Sequence, residues 1–191
     1  MNAAARAHRV LADPSAEWVT IESEGGDAAY LLTSYVARLA LIPAIFGFIG
    51  ACVVGVVEPG RGEVRAPIFD GLFGAVLGYV LSCATVLVLG LVIQALAPAF
   101  RGRRNFDNAF KLAVYSYTPV WLAGIFLLAP GLRFLGLLGL YGIYPLWLGL
   151  PQMMKVPASS LLAFTTVIVI SAAVLVAATA AAQHALFGLA F

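Results

Sequence analysis

Five long apolar runs, at about residues 35–57, 71–97, 109–129, 132–154 and 160–182, leave this 191-residue chain few ways to fold. Each is long enough to cross a hydrocarbon layer, which takes about 20 apolar residues in a helix. Lipid offers no water to a peptide N–H or C=O, so such a run must be a helix or a strand of a closed barrel. The alternation that barrel strands require is absent from all five. The expected fold is therefore all-α, a polytopic bundle of five transmembrane helices. Composition agrees, with 62% hydrophobic residues, 10% charged ones and a mean hydropathy of +0.99. A soluble domain carries about 25% charged residues. A freely soluble enzyme, a disordered chain and a nucleic-acid binder are excluded.

The runs divide the chain into an N-terminal segment 1–34, a membrane domain 35–182 and a short tail 183–191. In the N-terminal segment Asp13 is placed to cap a helix with Pro14 at its first position. Trp18, Val19 and Ile21 are apolar there, Glu17, Glu22 and Glu24 are acidic, and Gly25-Gly26 ends the segment. This reads as a short interfacial helix anchored by Trp18, with Trp18, Ile21 and Glu22 as candidate partner contacts. Its acidic face either docks on a protein or on the basic loop Arg101–Arg104, or is merely solvated. No apolar signal region precedes it, so the first run is expected to direct insertion.

Lys and Arg fix the expected orientation. Arg6, Arg9, Arg38, Arg101, Arg103, Arg104, Lys111 and Lys155 fall on the N-terminal side, and Arg61, Arg65 and Arg133 on the other. The eight-to-three excess puts the N-terminus in the cytoplasm and the C-terminus on the far side.

Polar side chains and small-residue stripes inside the runs are the candidate functional features. Gly71, Gly74, Gly78, Ser82 and Thr85 fall in a stripe about 80° wide at about 100° per residue. Gly74 and Gly78 form a GxxxG pair, and Ala173, Ala177 and Ala181 repeat the spacing in the fifth run. The stripes read as tight helix packing, within one chain or as an oligomer interface through Gly74, Gly78, Ser82, Ala173 and Ala177. In the third run Asn108, Lys111, Tyr115 and Thr118 share one face and Pro119 follows. In the fourth, Tyr141, Tyr144, Pro145 and Gln152 share another, with both tyrosines near mid-bilayer. Together these form a candidate intramembrane polar site. Lys111 is expected to snorkel outward or to pair with Asp107 or a tyrosine hydroxyl. Pro119-Val-Trp121-Leu-Ala-Gly124 and Pro145-Leu-Trp147-Leu-Gly149 are alike in inverted sense, a pattern met in transporters. Proline kinks satisfied by neighbouring helices are the simpler explanation.

The chain also resembles the bacterial branch of the Yip1 domain family. The residues that carry the likeness are Trp18-x-x-Ile21-Glu22, Pro43-Ala-Ile-Phe46-Gly-Phe-Ile49-Gly50, Leu96-Ala97-Pro98-x-Phe100 and Ala109-Phe-Lys111-Leu. Tyr115-Ser-Tyr-Thr118-Pro119, Tyr141-x-x-Tyr144 and Gly149-Leu-Pro151-x-Met153-Met-Lys155-x-Pro157 complete the ordered set. The resemblance implies five helices and a cytoplasmic N-terminus. Eukaryotic members act in Golgi and endoplasmic-reticulum trafficking with hetero-oligomeric and GTPase partners, through long cytoplasmic segments that do not stand in this chain. The Ala- and Gly-rich composition points instead to a bacterial inner (plasma) membrane.

The expected function is a non-catalytic membrane scaffold or organiser, with the bilayer, further copies of the chain or other membrane proteins as partners. The alternative is a small-molecule or ion transporter working at the polar site. Catalysis is not expected, because the runs hold no acidic pair and no mid-run histidine. No cofactor or metal is expected either. Cys52 and Cys83 stand alone in separate runs as packing residues, and His8 and His184 lie near opposite ends.

Overall fold

The computed structural model describes residues 2–25, 27–58 and 62–187. Gly26, Arg61 and residues 188–191 of the tail, used in the sequence analysis, lie outside the described residues. The polypeptide is almost wholly helical, with five helices long and apolar enough to span a membrane. Two short helices precede them, α1 (Ala3–Ala12) and α2 (Pro14–Ser23). Asp13 caps α2 as its sequence suggests, its carboxylate accepting the Ala16 N–H at 3.1 Å. The sequence reading has one helix here; α1 is an addition, capped by Asn2.

The first spanning helix, α3 (Ala28–Val54), starts seven residues before its apolar run. The extension carries Thr33 and Ser34, whose hydroxyls donate back to the carbonyls of Ala29 and Tyr30. α3 is interrupted at Ala40. Pro43 follows, and its ring cannot lie against the carbonyl four residues earlier, at Leu39. A two-stranded antiparallel hairpin, β1 (Val56–Glu58) and β2 (Gly62–Val64), sets Val56 opposite Val64. It leads to α4 (Ile68–Phe100), which tightens into a 3₁₀ turn at Pro98. The return loop to α5 is pinned where the Arg103 N–H donates to the Met154 carbonyl at 2.7 Å.

α5 (Phe106–Leu128) runs straight through Pro119 and narrows to a 3₁₀ coil at Gly124. α6 (Pro130–Met154) is the unexpected element. Its first thirteen residues, Pro130–Gly142, form a continuous 3₁₀ helix, and only from Ile143 is it α-helical. Runs of this kind rarely exceed three or four residues. The sequence explains the exception. Gly136, Gly139 and Gly142 recur every three residues, the 3₁₀ repeat, and so stack on one edge. A Cβ at Gly139 would come 3.2 Å from Val120 Cα, and one at Gly142 would run into the Ser116 carbonyl. At Gly139 and Gly142 the bare edge lets α6 lie on α5, while Gly136 has nothing within 4 Å. α7 (Ala158–Phe187) completes the bundle.

Burial runs opposite to apolarity. α5 is the least apolar of the spanning helices, yet its central part is buried on nearly every side, and α7, the most apolar, is the most exposed. That is the arrangement expected when lipid is the solvent: polar side chains are drawn inward and Leu, Val and Ile face out. α5 also meets α3 closely, since a Cβ on Gly124 would stand 2.7 Å from Pro43 Cβ. Gly124→Val should cost on the order of 1–3 kcal/mol by overpacking and lower the thermal midpoint in detergent. Gly131→Ala, with nothing within 4 Å, should leave that midpoint unchanged.

Candidate functional site

The polar face of α5 is closed by bonds inside the chain. The Asn108 carboxamide donates to the Met153 carbonyl at 3.0 Å. Lys111 is 9% exposed, and its ammonium donates to the carbonyls of Glu24, at 2.6 Å, and Ile21, at 3.4 Å. These are carbonyls at the C-terminal end of α2, which no further helical turn satisfies. A cation there also matches the helix dipole. Lys111 therefore does not snorkel outward; its hydrogen bonds go to these carbonyls, and the Asp107 charge also attracts it. Thr118 is wholly buried and its hydroxyl bonds that of Tyr35, also wholly buried, at 2.9 Å. Tyr115 packs edge-on against Tyr35 at 5.0 Å and against Trp18 at 6.1 Å.

Tyr141 and Tyr144 do not join this cluster. They are 40% and 51% exposed, their rings tilted against each other at 5.8 Å on the outer face of α6. The reason is the 3₁₀ start of α6, whose glycine edge takes the inward side. Tyr141 donates to the Leu11 carbonyl at 2.8 Å. Gln152 faces the N-terminal segment too, donating to the Glu22 carboxylate.

The N-terminal helices are thus built into the bundle. Leu11 meets Tyr141, the Trp18 indole N–H donates to the Pro145 carbonyl at 2.9 Å, and Glu22 meets Gln152 and Lys155. That order means α2 runs alongside the α-helical half of α6. Trp18 and Ile21 are each 1% exposed. The Trp18 ring fills the gap that Gly149 leaves, where a Cβ would stand 2.6 Å from the indole. Its apolar surface is spent on protein, not on lipid. The acidic residues of α2 are paired within the chain and not with Arg101–Arg104, with Glu22 and Glu24 keeping part of their surface in solvent. Buried Glu17 is held by Arg6 at 2.5 Å and by Arg9 at 2.9 Å. The Arg6 guanidinium also bonds both carboxylate oxygens of Glu24 and lies over the Tyr115 ring. Burial alone would pull Arg6 down, but Glu24, Tyr115 and Glu17 outweigh it and hold the guanidinium above its ordinary value. At the rim, the Lys155 hydrogen bond chiefly holds the Glu22 carboxyl below its ordinary value.

The second feature is a half-open cleft of about 300 Å³ between α3, α4, α5 and α7. Gly74, Gly78, Ser82 and Thr85 of α4 line it, facing into their own chain. Ala173 and Ala177 of α7 are exposed on the outer surface, so the two small-residue stripes do not share a face. Ser82 accepts the Trp121 indole N–H at 2.8 Å. Tyr117 touches Trp121 edge-on at 5.2 Å, and its hydroxyl has no hydrogen-bond partner among the described residues. Gln183 spans the cleft with one long bond, 3.4 Å to the Gly74 carbonyl. The sequence reading missed Tyr117 and Gln183; each is a polar residue within the length of a spanning helix, which is the signal that marks them. The described residues hold no group of His, Cys, Asp and Glu suited to a metal.

Comparison with known proteins follows the same lines. Residues 9–181 match the sequence model of the Yip1 domain. The chain is 30% identical to the inner membrane protein YohC of Escherichia coli K12 over 162 residues, 82% of this chain and 83% of the relative. The protein of that name from Escherichia coli O6:H1 matches equally. No solved structure matches.

Two outcomes test the N-terminal network. Arg6→Ala strips buried Glu17 of its main partner, a loss of about 3–5 kcal/mol for a broken buried pair. It should open residues 2–25 to limited proteolysis. A carboxyl whose value is lowered by folding stabilises at neutral pH and stops doing so as pH falls through that value. The thermal midpoint of the protein should therefore exceed that of Glu22→Gln at pH 7, and the gap should close below pH 4.5, the ordinary value.

Proposed function

This chain belongs to the Yip1 domain family, and from that membership we propose that it works without catalysis, as a scaffold or organiser of the bacterial inner membrane. It is a multi-pass membrane protein of that family, and its named relative is an inner membrane protein. The proposed sidedness has the N-terminus in the cytoplasm and the C-terminus outside, on the strength of the eight-to-three division of Lys and Arg.

One observation carries the scaffold reading: Asn108, Lys111 and Thr118 all spend their hydrogen bonds within the chain. A solute path needs polar groups that can exchange protein partners for a passenger. Here they hold α2, α3, α5 and α6 to one another. What the chain offers to others is the outside of its helices, and there the exposed small residues Ala173 and Ala177 suit close approach of a second helix. The proposed partners are further copies of the chain or other membrane proteins.

Ala173→Leu combined with Ala177→Leu should reduce chemical crosslinking between copies in native membranes severalfold, without lowering the amount inserted. Undiminished crosslinking would remove this surface from the proposal. A reporter fused after Phe191 should be labelled only from outside intact spheroplasts; labelling from the cytosolic face would reverse the orientation.

A further inference from the structure

We propose that the cleft between α3, α4, α5 and α7 holds one acyl chain of a bilayer phospholipid, in the leaflet away from the N-terminal helices. This goes beyond the scaffold reading and does not depend on it.

Depth is the first argument. From Gly74 to Thr85 the α4 wall rises eleven residues, about 16 Å at 1.5 Å each. Half of a hydrocarbon core about 30 Å thick is nearly the same. The cleft is as deep as one leaflet, and its volume of about 300 Å³ lies at the low end of the roughly 300–1,000 Å³ of ligand sites.

The second argument is where it opens. Val176 and Ala180 line the cleft and are exposed, yet both lie well inside α7, so the mouth is on the flank of the bundle. A chain enters from the bilayer without crossing a polar surface. The third is what holds α7. Its buried residues, Phe164, Thr165 and Ile168, all lie in its first half. Beyond them α7 and α4 leave the cleft between them, bridged by the long Gln183 bond. An empty apolar gap forfeits the dispersion contacts of its lining, and an acyl chain restores them. Gln183 sits towards the outer end of α7, near the level of lipid ester carbonyls, and its carboxamide has two donor hydrogens of which the Gly74 carbonyl takes one. The other is free for an ester carbonyl.

The test uses the full chain, purified mildly from its own membranes. Native mass spectrometry should show one phospholipid retained per chain. Gly78→Leu fills the cleft, since a Cβ there already meets the Gln183 amide at 2.5 Å, and should reduce retention severalfold. Val80→Leu puts the same side chain on the exposed face of the same helix and should not. A second measurement does not depend on Gly78→Leu folding: phospholipid with brominated chains should quench the fluorescence of Trp121, read as the difference between the protein and a folded Trp121→Phe. Absence of retained lipid, equal retention in Gly78→Leu, or no Trp121 quenching overturns the proposal. So does recovery of a carbonyl-bearing ring compound, which would bond the Tyr117 hydroxyl, in place of phospholipid.

Discussion

Each polar side chain carried into lipid has to be satisfied by protein, and this bundle meets that demand around a single helix. α5 brings Asn108, Lys111, Tyr115 and Thr118 inward on one face. Their partners come from α6, α2 and α3. Removing any of those elements leaves a buried donor without an acceptor, at a cost of about 1–3 kcal/mol and more for a charge. The N-terminal residues are therefore structural members of the bundle. Lys111 bonds them to α5, Trp18 and Gln152 bond them to α6, and Arg6 gathers Glu17 and Glu24 so that no charge is buried alone.

The two ends of the bundle differ accordingly. Where α1 and α2 attach, aromatic rings and ion pairs fill the space between helices. At the other end, Gly74 and Gly78 leave the α4 wall bare and α4 and α7 stand apart around the cleft, while Gly124 lets α5 close on α3. Packing density and polar satisfaction are concentrated at one surface, and room is concentrated at the other. A molecule so divided suits a role in which one face is fixed and the other accommodates the bilayer.

Much of this was legible in the sequence. Five spanning helices follow from run length alone, and the cap at Asp13-Pro14 follows from local chemistry. The stripe of α4 and the polar face of α5 were also legible, because helical spacing fixes which residues travel together. Their partners were not. Lys111 ends on backbone carbonyls of Ile21 and Glu24, and a carbonyl has no residue type to announce it. Trp18 has the same pattern whether its ring faces lipid or the gap over Gly149. GxxxG does not say whether the approaching backbone belongs to the same chain. The 3₁₀ start of α6 is different: Gly136, Gly139 and Gly142 announce it at a spacing of three, but spans are read for a period of 3.6, and Tyr141 and Tyr144 were placed on the wrong side as a result.

That coil also changes how far α6 reaches. Thirteen residues at the 3₁₀ rise extend about 26 Å, and the twelve α-helical residues after them about 18 Å. The combined reach is well beyond a hydrocarbon layer of about 30 Å. Unless strongly tilted, α6 must overshoot the bilayer, and the end of its α-helical half becomes a post reaching past the acyl region. Against such a post the charged hairpin of α1 and α2 can be mounted at the headgroups, with its Asp13 corner kept out of the oil.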